Sequence, residues 1–266
     1  MLVLLPPSET KALGGAGAPL DLRVLAAPEL TAVRTELVRA LVELAGDVPA
    51  ARAALGLSPG QDDEIARNAA LCTSPTTPAL ERYTGVLYDA LDVRSMTRAQ
   101  RARAGRRLAV ASALFGVVGG EDPVPAYRLS AGSALPGRPT LRTLWRPVLS
   151  PVLAAVDELV VDLRSGSYAA LAPVPGAVTV QVRSERPDGT RAVVSHANKA
   201  HKGRLARLLA TTTAEPADVA RLRALLRRAG WHVEHDGLGG RREDRGLGVR
   251  RGAPRRGRTR RRRGVV

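Results

Sequence analysis

Three lysines stand apart in this chain, because nearly every other cation in it is an arginine. Of the 41 Lys plus Arg, only Lys11, Lys199 and Lys202 are lysines, which leaves 38 arginines. The two side chains do different chemistry. A lysine can be desolvated until its amine becomes a nucleophile or base, which an arginine cannot do. Glu9, Asp122 and Tyr127 are residue types that could act as its acid–base partners. Around the second and third lysines, "NKAHKGRLAR" sets Lys199, Lys202, Arg204 and Arg207 on one run with no carboxylate. On a helix Lys199 and Lys202 share a face, and Gly203 would allow a phosphate to approach closely. Two readings therefore stand side by side: a phosphate-binding surface, or a lysine and tyrosine site acting on nucleic acid or a nucleobase.

Other chemistries find less support. Glu9, Asp122, His196 and His201 are metal-ligand types, but the two histidines are five residues apart, not the four that put ligands on one helical face. His232 and His235 fall on opposite faces of a strand. A single cysteine, Cys72, excludes an intrachain disulfide and a cysteine-based zinc site. There is no nucleophile elbow or phosphate-binding loop, and neither a metal nor a cofactor is expected.

The elements that must position these groups follow from periodicity. Leu2–Leu5 reads as a short buried strand stopped by Pro6 and Pro7. Leu30, Val33, Leu37, Leu41 and Leu44 recur at helical spacing within residues 29–44. Further helices are expected at 62–71 and 79–91, and "MTRAQRARAGRR" gives a basic one ending near Gly105. "RLAVASALFGVVGG" reads as a buried strand entering a glycine turn. Residues 140–156 are apolar at helical period but carry Pro147 and Pro151, so a kink or two short helices is expected. Strands follow at 158–163 and 178–182, then a hairpin turn at "RPDGTR" with a return at 192–195. The lysine run begins a helix that Ser195 or Asn198 could cap. A helix at 216–228 is closed by Gly230, and "WHVEH" is a last strand. Strands and helices mix without a regular alternation, so the fold class is α+β, a single mixed α/β domain over 1–237.

Charge is unevenly spread along the chain. The formal net charge is +16, and residues 241–266 carry 12 Arg against Glu243 and Asp244, so that segment supplies +10 of it. With almost no large apolar residue to bury, 238–266 is expected to be a disordered arginine-rich tail. A basic balance suits a polyanion such as nucleic acid. Seven aromatics are too few for a track of stacked single-stranded bases, so double-stranded or structured DNA is the expected partner. No partner protein is expected. The start, "MLVLLPPSETK", has no basic lead and a short apolar run, and no stretch approaches the length of a membrane span, so the expected location is cytoplasmic.

Five of the aromatics, Tyr83, Tyr88, Phe115, Tyr127 and Tyr168, fall in short polar motifs between elements, which hints at a shared pocket. Those motifs are "MLVLLPPSETK", "YTGVLYDAL", "LFGVVGGEDPVPAYRLSAG", "DLRSGSY" and "NKAHKGRLAR". In this order, over about residues 1–236, they resemble the YaaA family of peroxide stress proteins. That resemblance implies a cantaloupe-like mixed α/β fold containing a helix-hairpin-helix, DNA binding through a basic cleft, and a role in limiting iron-driven damage under hydrogen peroxide. The residues expected to bind DNA or line the pocket are Lys11, Tyr83, Tyr88, Tyr127, Arg128, Lys199, Lys202, Arg204 and Arg207. Residues 51–70, with "LGLSPGQDDEIARN", are the candidate helix-hairpin-helix, although Asp62, Asp63 and Glu64 would repel a phosphate there. The chain departs from the family pattern in three places. Glu9 stands where a lysine is frequent, Val118-Gly119-Gly120 replaces Leu-Arg-Pro, and Ser130 replaces a glutamate.

Overall fold

Leu2–Leu5 (β1) occupies the middle of a seven-stranded sheet, where an apolar run with no polar alternation can be covered on both faces. The computed structural model describes residues 1–182, 184–185, 191–192, 195–235 and 245–251. After β1 the chain forms β2 (Gly17–Pro19), then α1 (Thr31–Leu44), α2 (Val48–Leu55) and α3 (Asp62–Ala69). There follow β3 (Pro75–Pro78), α4 (Ala79–Arg82), α5 (Val86–Leu91), α6 (Arg98–Arg107), β4 (Leu108–Ser112), β5 (Gly116–Gly119) and β6 (Pro123–Val124). The second half contains α7 (Leu141–Ala154), β7 (Val160–Asp162), α8 (Gly166–Ala169), β8 (Val178–Val182), β9 (Ser184–Glu185) and β10 (Arg191–Ala192). It closes with α9 (Ser195–Thr211), α10 (Val219–Arg228), β11 (Trp231–His235) and β12 (Arg245–Arg251).

The sheet runs β11-β12-β8-β7-β1-β4-β5. Its interior is parallel: β1 pairs with β4 on one side and β7 on the other, with Val3 opposite both Leu108 and Val161. β7, β8 and β12 continue in parallel, while β5 and β11 are antiparallel edges. β2, β3 and β6 make a separate small sheet, and among the described residues β9 pairs only with β10. The result is the expected mixed α/β body, with a parallel centre that the irregular element rhythm did not announce.

Several local expectations need correction. Residues 140–156 form one continuous helix, α7, despite Pro147 and Pro151. Both prolines are exposed, so the carbonyls deprived of their N–H partners can turn to water, while Leu141, Trp145, Leu149 and Leu153 keep the opposite face buried. The expected helix 79–91 is two helices, because Tyr83 is extended and Gly85 has φ 91 between them. Helix α6 runs on to Arg107, and the glycine-rich stretch after it is a hairpin of β4 and β5. The return strand at 192 pairs with β9 and not with β8, and its turn residues lie outside the described residues. Within the segment expected to be a tail, Arg245–Arg251 form β12 between β8 and β11, with Leu247 and Val249 buried. Residues 236–244 and 252–266 lie outside the described residues.

Candidate functional site

β1 is the point where the sheet order reverses, since the chain leaves it for β4 on one side and later returns to β7 on the other. Beyond the carboxyl end of such a strand the outgoing loops diverge and leave a crevice. Pro6 and Pro7 end β1 there, and the loop turns back so that Lys11 forms an isolated antiparallel bridge with Tyr83. Ala12 N–H donates to Arg82 O at 2.8 Å and Thr84 N–H to Thr10 O at 3.3 Å. The break between α4 and α5 thus has a purpose: it brings Tyr83 against the lysine loop. Behind it Arg82, fully buried, donates to Val124 O at 2.9 Å, Gly14 O at 2.7 Å and Pro75 O at 3.2 Å, and also to Ala12 O.

The Lys11 ammonium donates to Ser8 O at 3.1 Å and Glu9 O at 3.4 Å. It lies 4.2 Å from the centre of the Tyr127 ring and 5.5 Å from that of Tyr83. The neighbouring carboxylate is occupied elsewhere, since Glu9 pairs with Arg128 at 2.9 Å. Desolvation draws the Lys11 ammonium down to about 8. Glu9 and Glu64 oppose that shift, while Arg128 and Arg82 add to it.

Beneath the lysine lies a chain of hydroxyls. Ser112 Oγ accepts from the N–H groups of Leu114 and Phe115 at 3.2 and 2.9 Å, so its own hydrogen points to Tyr127 at 2.7 Å. Tyr127 in turn donates to Tyr83 at 2.9 Å, which makes the Tyr83 hydroxyl hydrogen the end of the relay. Burial pushes the Tyr83 phenol up to about 12, and burial also holds Tyr127, Tyr88 and Tyr168 above the usual phenol range. Tyr88 stacks on Tyr83 with ring centres 5.6 Å apart and donates to Pro6 O at 2.8 Å. Phe115 meets Tyr127 edge-on at 5.4 Å. The aromatic grouping expected from the sequence is therefore present around the end of β1.

Lys202 makes the matching contact one strand over. Its ammonium donates to Leu163 O at 2.8 Å and Arg164 O at 3.3 Å, just past β7, and burial lowers its pKa against the pull of Asp162. Asp162 itself is held by Arg164 at 2.7 Å. Helix α9 packs on α5 so closely that a Cβ on Gly203 would sit 2.1 Å from Leu87 O. The two helices run in the same direction, with Gly203 beside Leu87 and Arg207 donating to Leu91 O at 2.8 Å. Lys199 precedes Lys202 by about 4.5 Å of helix and is exposed.

The structure brings Lys11, Tyr83, Tyr88, Tyr127, Arg128 and Lys202 to the carboxyl ends of β1 and β7. Two expected residues do not join them. Arg207 ties α9 to the far end of α5, through Leu91 O and Ser95 Oγ at 2.7 Å. Arg204 is exposed, opposite the α9 face that buries Leu205, Ala206 and Leu209. Sequence reasoning missed Ser112 and Asn68. The second is buried and holds Arg128 on both sides of its peptide, donating to Arg128 O at 2.9 Å and accepting from Arg128 N–H at 2.8 Å. An isolated Asn inside a polar helix gives no signal of such a role. Asp122 staples the loops instead, accepting from Ala26 and Gly119 N–H groups at 2.9 Å each. The helix pair at 51–70 exists as α2 and α3, joined through Gly56 (φ 64), and Asp62 binds Arg52 Nε at 2.8 Å. Among the described residues no group of three or more His, Cys, Asp or Glu gathers as a metal site requires, and no helix is long and apolar enough to cross a membrane.

Residues 1–236 match the family described as peroxide stress protein YaaA. The chain belongs to that family. It is 51% identical over 238 residues to a UPF0246 protein of Corynebacterium efficiens, covering 88% of this chain and 95% of the relative. A UPF0246 protein of Streptomyces coelicolor is 49% identical over 239 residues, covering 88% and 92%, and one from Corynebacterium glutamicum is 46% identical over 240 residues, covering 89% and 96%. The family match spans every residue of the Lys11 and Lys202 site.

Proposed function

We propose that this peroxide stress family member binds duplex or structured DNA across the carboxyl edge of its sheet. The observation that carries this reading is the charge balance at that edge. Lys11, Lys202 and the exposed Lys199 stand there without carboxylate partners among the described residues, while Glu9 and Asp162 are each neutralised by an arginine. A phosphate backbone supplies the missing anions. The α2–α3 pair is the segment we assign to the helix-hairpin-helix. Its leading Asp62, Asp63 and Glu64 leave the main phosphate contacts to the lysine edge. In this reading the limiting of iron-driven damage is exerted at the DNA that the protein covers.

The test is a binding titration on duplex DNA at several salt concentrations. It uses the full chain, because ending it at Gly237 would remove β12 from the sheet. Lys199→Ala should lower the log–log salt slope by about 0.9, and Lys199→Arg should restore it. Unchanged affinity and slope in Lys199→Ala/Lys202→Ala would remove the reading.

A further inference from the structure

A surface that only neutralised phosphates would have no need of an amine shielded from water. Arginine supplies 38 of the 41 cations here and binds phosphate at least as well. Yet the residue kept over the Tyr127 and Tyr83 rings is a lysine, at the reversal point of the sheet, with its neighbour Glu9 taken by Arg128. Lys11 retains partial exposure, between the exposed Glu9 and Thr10 on one side and exposed residues 13–17 on the other. Arginine at this place would keep the charge and lose one capacity, addition to a carbonyl carbon.

We infer that Lys11 captures an aldehyde of damaged DNA as an imine, the carrier being the open-chain sugar left where a base has been lost. The inference rests on the DNA-binding reading above. The Lys11 nitrogen adds to the aldehyde carbon and a C–N bond forms. The carbonyl oxygen then leaves as water with both amine hydrogens, and nothing is oxidised or reduced. The approach of the Tyr127 and Tyr83 rings excludes water from one side of the amine and so favours its neutral, reactive form. Oxidative attack on deoxyribose and base loss expose such aldehydes, which is the damage that a peroxide stress protein seated on DNA would meet.

The chain holds only three lysines, so the test is clean. The full-length protein is incubated with a duplex carrying one abasic site, reduced with borohydride, and the adduct located by peptide mass mapping. Wild type and Lys199→Arg/Lys202→Arg, in which Lys11 is the sole lysine, should both give a covalent complex at Lys11. Lys11→Arg should give at least tenfold less adduct when compared at equal occupancy of the duplex. An adduct mapped to Lys199, Lys202 or the α-amino group overturns the assignment. So does absence of adduct in Lys199→Arg/Lys202→Arg when that protein still binds intact duplex. Labelling of Lys11 by a small free aldehyde but not by the abasic duplex overturns DNA as the carrier. Failure of the wild type to bind intact duplex at all would instead sink the DNA-binding reading, and the two failures are thereby told apart.

Discussion

The ammonium of Lys11 sits 4.2 Å from the centre of the Tyr127 ring, and the hydroxyl of that same ring is fixed from below by Ser112 at 2.7 Å. One aromatic side chain therefore has a cation on its face and a serine on its edge, and it links the loop after β1 to the end of β4. The behaviour of the site follows from what that ring can and cannot solvate.

The first consequence is a pH dependence. Lys11 is charged in the folded protein below about 8, whereas the unfolded chain holds its proton to the ordinary 10.5. Between those values the unfolded state binds more protons, so stability should rise with pH through this window. Below it the fold carries the cost of an incompletely solvated cation, on the order of 3 kcal/mol. The groups that set the midpoint are Glu9, Glu64, Arg82 and Arg128, together with the Tyr83 and Tyr127 rings. Denaturant unfolding at pH 7 and pH 9.5 checks this, and Lys11→Met should flatten the difference. A wild type less stable at the higher pH relative to Lys11→Met would contradict it.

Tyr127→Phe removes the middle of the hydroxyl relay and leaves Ser112 and Tyr83 facing a hydrocarbon edge. The expected loss is about 1–3 kcal/mol. Because Ser112 also accepts two backbone N–H groups, Ser112→Ala should cost a similar amount. The double variant should cost less than the sum, since one shared interaction is counted twice. Thermal melts of the three proteins decide the matter, and strict additivity would mean that the relay is not coupled.

Gly203→Ala should invert the usual rule for helices. Alanine in a helix interior normally gains about 1 kcal/mol over glycine. Here the new methyl would meet Leu87 O at 2.1 Å and Ala90 Cβ at 2.8 Å. The expected result is a loss of about 1–3 kcal/mol as α9 is pushed off α5. Lys202 would move with the helix, so under the DNA-binding proposal the variant should also weaken binding to duplex DNA. A raised melting temperature would show that the two helices do not touch as described.

Arg82→Lys tests what holds the lysine loop. The guanidinium fork reaches four carbonyls on three segments, and a single ammonium can serve at most three hydrogens from one point. At least one buried carbonyl is then left bare, at about 1–3 kcal/mol. Faster amide hydrogen exchange at Ala12 and Thr84 would be the local signature, since those N–H groups close the bridge between the loop and Tyr83.

How legible all this was in the sequence varies with the kind of signal. The apolar run Leu2–Leu5 and the heptad-like leucines of α1 predict their elements well, because burial on both faces or on one stripe is written in the residue types themselves. The grouping of the tyrosines was legible from their concentration in polar loops. What could not be read was pairing. The split between α4 and α5 depends on Tyr83 meeting Lys11 across some seventy residues, and helix periodicity is blind to such a partner. The prolines of α7 misled in the opposite direction, because only the fold decides that their bare carbonyls face water. β12 is hidden for a similar reason. "RGLGVRR" has just Leu247 and Val249 to bury, and two apolar residues suffice only because β8 and β11 already offer it both edges. Of the cations named as a single basic run, Lys202 and Arg207 serve the fold's own carbonyls, a use that charge counting cannot separate from phosphate binding.

Arg34, Arg82 and Arg107 are interior groups, each donating to backbone carbonyls of segments far away in the chain. Each adds to the isoelectric point and remains invisible to an approaching polyanion. The protein's arginine wealth is thus partly a mortar for irregular backbone, and its titration curve overstates the electropositive area that another molecule can meet.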